Sequence, residues 1–189
     1  FRTPLNAILG FAQLLREKPA DDYEKSKRYA ENIIASGRSL LNMINDLLDL
    51  AKAQAGKMEL RLEKTSVQQL CESLVSFFIP LTQEKDLQVD LDIAEDIPLI
   101  QTDAGKVRQI LYNLLSNAIK FTEPNETVLI SAEMLDEKTV RLAITDNGPG
   151  IPADEMTKVF EKFYQIDPQN TGQIRGFGLG LFYARQFIR

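Results

Sequence analysis

The chain has 189 residues and a net charge of −5, because it holds 22 lysines and arginines but 27 aspartates and glutamates. A mildly acidic chain has no general attraction to nucleic acid phosphates or to anionic membranes. Its single cysteine, Cys71, excludes an internal disulfide framework, and the absence of histidine excludes histidine-ligated zinc and a Ser-His-Asp triad within these residues. We therefore expect a soluble, cytosolic protein.

Residues 1 to 55 show helical periodicity, interrupted by a short connector at residues 18–21. The second helix carries a heptad repeat, and beside it lies a second apolar stripe formed by Ile34, Leu41 and Leu48. One hairpin covers only one stripe, so the pattern predicts a homodimer that forms a four-helix bundle. The alternative is that the second stripe packs against the rest of the same chain. The heptad repeat consists of Ala30, Ile33, Gly37, Leu40, Ile44, Leu47 and Ala51.

Helices and strands mix in residues 56–189. The pattern predicts a strand over residues 58–62, a helix opened by Ser66, and a strand over residues 87–93. The Ser66 helix is expected to bury Leu70, Leu74, Phe77, Phe78 and Leu81.

Asp103 is expected to cap a helix that ends near Phe121, and two later strands form a hairpin. Helices mixed with antiparallel strands indicate an α/β sandwich, with helices on one face of a mixed sheet. We therefore predict a multidomain chain with an all-α hairpin, residues 1–55, and an α/β domain, residues 56–189. The Asp103 helix is expected to bury Val107, Ile110, Leu111, Leu114 and Ala118.

Three polar residues form one stripe on the Asp103 helix. Asn113, Asn117 and Lys120 lie at positions i, i+4 and i+7. Amide oxygens are suitable ligands for Mg²⁺, and a lysine supplies a point charge for a phosphate. The alternative is an ordinary solvated stripe, because asparagine is common on protein surfaces.

The segment DNGPGIP follows a predicted strand, so Asp146 lies where that strand ends. Gly148 and Gly150 permit positive φ and leave room for a flat ligand. A carboxylate at the floor of such a pocket accepts a hydrogen bond from an exocyclic amine and therefore favours adenine over guanine. The alternative is a common Asn-Gly turn flanked by prolines.

Phe160 and Phe163 are expected to anchor a mobile segment, and the polar residues 167–175 predict a loop or lid. The loop ends in GFGLGL, which opens the last helix and offers backbone N–H groups to an anion. A lone G-x-G-x-G is weak evidence, and no βαβ unit surrounds it.

The order of these motifs is more specific than each of them. The asparagine stripe, DNGPGIP, FEKF and GFGLGL resemble the N, first G, F and second G boxes of sensor histidine kinases. FRTPLN at the start resembles the second half of their H box. The resemblance implies a dimerisation and phosphotransfer domain over residues 1–55, followed by a Bergerat-type ATP-binding domain related to heat-shock and topoisomerase ATPases.

The resemblance also implies roles for single residues, with ATP and Mg²⁺ as cofactors. Asn117 resembles the Mg²⁺ ligand, Asn113 supports the metal or its waters, Lys120 contacts phosphate and Asp146 reads adenine. Phe160 and Phe163 would hold the lid to the domain. The remaining residues expected at the nucleotide are Phe121, Gly148, Gly150, Arg175, Gly176, Gly178 and Gly180.

The activity implied is that of an ATP-dependent protein-histidine kinase, which passes the γ-phosphoryl group to a histidine and then to an aspartate of a response regulator. By the resemblance, that histidine lies two positions before Phe1, outside these residues. Thr3, four residues after it, implies an additional phosphatase role. The expected location is the cytoplasmic part of a bacterial inner-membrane sensor.

The sequence departs from the family pattern at Phe177, where threonine or serine is usual, and further strands are expected after residue 189. Two alternatives therefore stay open. One is a dimeric pseudokinase that binds ATP or a regulator without phosphotransfer. The other is a Bergerat ATPase of a different type, against which FRTPLN and the heptad hairpin argue.

Overall fold

The computed structural model describes residues 2–17, 23–166 and 178–188, except for the side chains of residues 46 and 54. The chain forms two compact units, Phe1–Met58 and Glu59–Arg189. In the described residues, no helix is both long and apolar enough to cross a membrane.

The first unit is a pair of helices, α1 (Arg2–Glu17) and α2 (Tyr23–Gln54). They pack against each other, and the rings of Phe11 and Tyr29 lie 5.7 Å apart.

The heptad residues of α2 are divided between a buried and an exposed face of the helix. Ile33, Leu40 and Leu47 are half-buried, but Ala30 and Ile44 are exposed. These two residues lie on the face of Ile34, Leu41 and Leu48, which are 53%, 58% and 54% exposed. The apolar stripe predicted beside the seam is thus open on one hairpin, and we call this exposed set of five residues the α2 stripe.

The second unit begins with a short two-stranded sheet. The strand predicted over residues 58–62 is wrong, because strand β1 is Glu63–Thr65. It pairs antiparallel with β3 (Ile100–Thr102), a strand too short to show an alternating pattern in the sequence. The backbone N–H of Arg61, just before β1, donates to a carboxylate oxygen of Asp103.

A three-stranded sheet lies at the centre of this unit, in the order β2 (Gln88–Ile93), β4 (Thr127–Asp136) and β5 (Thr139–Thr145). Strands β2 and β4 are parallel, whereas β4 and β5 form the predicted antiparallel hairpin. The sheet is therefore mixed, as expected.

Helices α3 (Val67–Glu84) and α4 (Ala104–Phe121) share one apolar core with the sheet. Alternate residues of β4 are buried in this core, so the helices cover one face of the sheet, as predicted. Ser66 caps α3 through a bond from the Gln69 N–H. The buried residues of the core are Val67, Leu70, Cys71, Leu74, Phe78, Leu87, Leu111, Leu115, Ala118, Ile119, Val128, Ile130 and Ala132.

Predicted core positions on both α3 and α4 differ from the structure. Phe77 and Leu81 are exposed, because α3 turns Val67, Cys71 and Thr82 inward instead. On α4, Leu115 is fully buried and Leu114 only half-buried. The unit ends with a 3₁₀ turn, Lys158–Phe160, and helix α5, Gly180–Phe187.

Candidate functional site

Helix α4 begins at a strong cap. One carboxylate oxygen of Asp103 accepts from the Lys106 N–H over 3.0 Å, and the other accepts from the Arg61 N–H. Partial burial opposes ionisation of this carboxyl, but the backbone N–H donors outweigh it and lower the pKa of Asp103. The predicted cap is confirmed, and it fixes the start of the helix that carries the polar stripe.

Asn113, Asn117 and Lys120 are all half-buried on α4. The Nδ2 atom of Asn113 is fully buried, and within the described residues it has no hydrogen-bond partner. A buried donor without an acceptor costs free energy, so this amide is suited to a ligand oxygen or a bound water. If the side-chain amide group of Asn113 were flipped, its oxygen rather than its nitrogen would face a cation.

The start of α5 lies beside Asn113. A Cβ atom built on Gly180 would lie 3.4 Å from the Cβ and Cγ atoms of Asn113. Leu179, the N-cap residue of α5, provides no side-chain cap. Among the described residues, the first N–H groups of α5 thus have no capping side chain, and they lie next to the buried amide, which is an arrangement suited to an anion.

Helix α5 is docked firmly on α4. Its residue Tyr183 is fully buried, and the Tyr183 hydroxyl lies 2.7 Å from the side-chain oxygen of Gln109, to which it donates. Within α5, the Tyr183 ring packs at a tilt against Phe187, with centroids 4.2 Å apart. The burial of Tyr183 and its bond to Gln109 keep the N-terminus of α5 beside Asn113.

Lys120 is a cation without a paired carboxylate among the described residues. Its Nζ atom lies 4.5 Å from the ring centroid of Phe121, and burial lowers the pKa of the ammonium group. An anionic ligand would relieve this cost of burial, so Lys120 is placed to bind one.

The segment after β5 returns to the end of α4. Asp146 is exposed, and one of its carboxylate oxygens accepts from the Gly148 N–H over 2.9 Å. A Cβ on Gly148 would lie 2.7 Å from that oxygen and 3.1 Å from the carbonyl oxygen of Phe121. The predicted positive φ is present at Gly150 (+71°) but not at Gly148. Glycine is required at position 148 because of the close packing around it.

The two predicted phenylalanine anchors differ from each other. Phe160 is half-buried, and the guanidinium carbon of Arg185 lies 5.6 Å from its ring centroid. Phe163 is 59% exposed and has φ +65°, so its ring is not a hydrophobic anchor in this structure. Its backbone N–H instead donates to the carbonyl of Gly178, which has φ +66°.

Arg175 and Gly176 lie outside the described residues, as does Phe177. Thr3 belongs to the first unit, where it is exposed on α1. The described residues thus group Asn113 with Gly180, and Phe121 with Gly148 and Asp146.

Two families match the chain. Residues 1–56 match the family described as "His Kinase A (phospho-acceptor) domain". Residues 102–189 match the family described as "Histidine kinase-, DNA gyrase B-, and HSP90-like ATPase". The chain belongs to the histidine kinases.

Known histidine kinases resemble it over nearly its whole length. The circadian input-output histidine kinase CikA of Synechococcus elongatus is 35% identical over 190 residues, which cover 99% of this chain and 25% of CikA. The autoinducer 2 sensor kinase/phosphatase LuxQ of Vibrio cholerae is 32% identical over 192 residues, covering 99% of this chain and 22% of LuxQ. The chain thus spans about a quarter of the length of these relatives.

A solved structure is similar to this chain over nearly its whole length. Full-length ShkA in complex with AMPPNP is 33% identical, with a TM-score of 0.74, and the match covers 98% of this chain and 38% of that one. The relationship therefore extends to both units of the fold.

Several contacts in this histidine kinase were not foreseen from its sequence. Lys85 donates to carbonyls at the end of α4, and Tyr164 donates to Glu155, which also pairs with Lys158 at 3.1 Å. Such pairs join residues that lie in different or irregular elements, where periodicity gives no signal. A lysine at the C-cap of a helix was the only visible hint for Lys85.

Proposed function

We propose that this chain is the core of an ATP-dependent protein-histidine kinase of a two-component system. The observation that carries the proposal is the buried Asn113 amide beside the start of α5, neither of which has a side-chain partner in the described part of the chain. This grouping provides donors for phosphate oxygens in a chain whose family includes ATP-dependent kinases.

ATP is the proposed substrate of the second unit. Asp146 keeps one carboxylate oxygen free of the Gly148 bond and would accept from the adenine amino group. Lys120, a half-buried ammonium group with no carboxylate partner in the described part of the chain, would contact a phosphate. Phe121, Gly148 and Gly150 would border the base, with Gly178 and Gly180 near the phosphates. Arg175 and Gly176 remain proposed on the resemblance alone.

The chain's donors fit a magnesium ion that is bound together with the nucleotide. Within the described residues no cluster of three or more His, Cys, Asp or Glu residues could hold a metal alone. We propose Asn117 as a direct ligand through its amide oxygen, supported by Asn113, with phosphate oxygens and waters completing the set. When bound, Mg²⁺ neutralises charge on the phosphates.

The proposed reaction moves the γ-phosphoryl group to an imidazole nitrogen. An N–P bond forms, the bond from the γ-phosphorus to the bridging oxygen breaks, and ADP leaves. By the resemblance of FRTPLN to the second half of the H box, the acceptor histidine is proposed two positions before Phe1. Lys120 and the N-terminus of α5 would position the γ-phosphoryl group, and this positioning would supply most of the rate enhancement.

We further propose the partners of this core. The α2 stripe would be covered by the same stripe of a second copy, giving a homodimer through a four-helix bundle. The phosphoryl group would pass to an aspartate of a response regulator. The core is proposed to be cytoplasmic, in a sensor attached to the bacterial inner membrane.

A second, weaker activity is proposed at Thr3. LuxQ is named a kinase/phosphatase. Thr3 is exposed on α1, so its hydroxyl is free to orient a water molecule toward a phosphorylated partner. Thr3→Val should reduce dephosphorylation of the partner and leave ATP binding unchanged.

Titration calorimetry with ATP and Mg²⁺ tests the nucleotide site. The unaltered protein should bind ATP, and Asn117→Ala should weaken binding by at least about a hundredfold, since a direct ligand matters more than its outer partners. An unaltered protein that binds no ATP would contradict the proposal. ATP binding without phosphotransfer, in a protein that includes the segment before Phe1, would favour the pseudokinase.

A further inference from the structure

Lys85 donates three hydrogen bonds from its single side-chain nitrogen. It follows the last residue of α3, and its Nζ atom donates to the carbonyl oxygens of Ile119, Lys120 and Thr122 at 2.8, 2.8 and 2.6 Å. The three N–H donors of an ammonium group are thus matched by three backbone acceptors from one turn.

These carbonyls belong to the C-terminal end of α4, where helix carbonyls lack an intrahelical partner. The neighbouring Ala118 carbonyl is already occupied, since it accepts from both the N–H and the hydroxyl of Thr122. The negative end of the helix dipole also favours a cation at this position. Lys85 therefore caps the C-terminal end of α4, where the last carbonyls lack intrahelical donors.

The same turn carries groups of the proposed nucleotide site. Lys120 contributes its side chain to that site and its carbonyl to Lys85. The carbonyl of Phe121, between the Lys85 acceptors, faces Gly148, whose N–H donates to Asp146. A shift of this turn would move Lys120 relative to the Asp146–Gly148 segment, which we call the adenine loop.

Further hydrogen bonds continue from Lys85 to the adenine loop. The Asn125 N–H donates to the carbonyl of Asp86 over 2.7 Å, and the Gln88 N–H donates to the carbonyl of Glu126. The Glu126 carboxylate accepts from the Asn147 amide, which is next to Asp146. These hydrogen bonds therefore connect the ends of α3 and α4 with the adenine loop, and the ammonium group of Lys85 is part of the same network.

We propose that Lys85 is a positioning residue of the nucleotide site, which acts by holding the C-terminal turn of α4 and with it Lys120 and the Asp146–Gly148 segment. This inference rests on the proposed ATP binding. Lys85 itself touches no nucleotide in this proposal. It sets the spacing between the group that binds phosphate and the group that binds adenine.

The test is ATP affinity in the presence of Mg²⁺, measured by calorimetry at a temperature well below the unfolding midpoint of each variant. Lys85→Met removes the donors and keeps the length of the side chain. We expect its Kd for ATP to rise roughly tenfold, the lower end of the effect of removing an outer partner of a binding group. Lys138→Met, in the exposed turn between β4 and β5, is the matched control and should bind like the unaltered protein.

Lys85→Arg is the second variant, in case Lys85→Met does not fold. It keeps the charge, but a planar guanidinium cannot direct three donors to carbonyls that converge on one point, so we expect weaker ATP binding here too. Amide hydrogen exchange should accelerate at residues 119–122 in both variants.

The outcomes separate the two proposals. If the unaltered protein binds ATP and the Lys85 variants bind it equally well, Lys85 is only a structural residue and the inference is overturned. A lower unfolding midpoint with unchanged ATP affinity overturns it in the same way. If the unaltered protein binds no ATP, the proposed function itself fails.

Discussion

The backbone N–H of Phe163 donates to the carbonyl oxygen of Gly178 across 2.9 Å. Both residues have positive φ, +65° and +66°. The bond joins the two sides of the segment that the sequence predicts to be a lid, so that segment starts and ends at one place, near the start of α5. A residue other than glycine at φ +65° is strained, and the surrounding contacts must hold it there.

Gly178→Ala should disrupt this junction. The added Cβ would lie 2.5 Å from the carbonyl oxygen of Tyr164 and 2.7 Å from the carbonyl carbon of Phe163, at a φ that alanine rarely adopts. We expect a loss of roughly 2–5 kcal/mol in unfolding free energy, the sum of the left-handed backbone and the overpacking. Urea denaturation of the isolated variant measures it.

Gly150→Ala is the matched control, because Gly150 has φ +71° but its added Cβ meets nothing within 4 Å. It should cost only about 1–2 kcal/mol, the effect of the backbone conformation alone. Equal losses for the two variants would show that the close contacts of Gly178 do not matter.

Asp103→Ala should remove the cap of α4 at a cost of about 1 kcal/mol in unfolding free energy. The pKa of Asp103 is lowered in the folded chain, so its contribution is present above the unfolded value of about 3.9 and is lost as the pH falls through the lower folded value. The difference between unaltered protein and variant, measured by urea denaturation, should shrink from pH 7 to pH 3. Asp92→Ala, at an exposed position, should show no such difference at pH 7.

Lys120 should give ATP binding an alkaline limit. Because burial lowers the pKa of its ammonium below 10.5, the positive charge is lost at a lower pH than in free lysine. Affinity for a fluorescent ATP analogue should therefore fall as the pH rises toward 10. Lys120→Arg keeps its charge throughout and should flatten this decline. A parallel decline in both proteins would show that another group controls it.

Leu41→Glu tests the proposed dimer. Leu41 lies at the centre of the α2 stripe and is 58% exposed. Two added carboxylates in a twofold interface cost several kcal/mol, so the dimer dissociation constant should rise by at least about a hundredfold. Sedimentation analysis measures it. Leu135→Glu, at a similarly exposed leucine in the second unit, should leave the dimer intact, and a dimer that survives Leu41→Glu would exclude this interface.

Long, periodic elements could be predicted from the sequence. The ends of α2 and α4 lie within one or two residues of the expected positions, because heptad spacing and the Asp103 cap are local signals. The hairpin of β4 and β5 in the mixed sheet followed from two alternating stretches joined by a short turn. Val128, Ile130 and Ala132 belong to the first of these stretches.

Contacts between distant segments could not be predicted. Strands β1 and β3 have three residues each, too few for a period to appear, and they form only because they pair with each other. The alternation of Leu60 and Leu62 indicated a strand where there is none. Periodicity also identified two apolar faces of α2 without telling which one a single hairpin buries.

The site was foreseen as a set of motifs rather than as contacts. The asparagine stripe follows from helical spacing alone, yet the closeness of Gly180 to Asn113 depends on how α5 docks through Tyr183. The exposed ring of Phe163 shows the limit of motif reasoning, since its backbone makes the contact expected of its side chain.

Phosphate labelling of a protein that includes the segment before Phe1, where the acceptor histidine is proposed, tests the central claim most directly. Incubated with γ-labelled ATP and Mg²⁺, the protein should acquire a label that is lost in acid and stable in alkali, as a phosphorylated imidazole requires. Asn117→Asp should abolish the label while the dimer stays intact. An intact protein that binds ATP but acquires no label, or acquires an acid-stable one, would contradict the assignment of this chain as a protein-histidine kinase core.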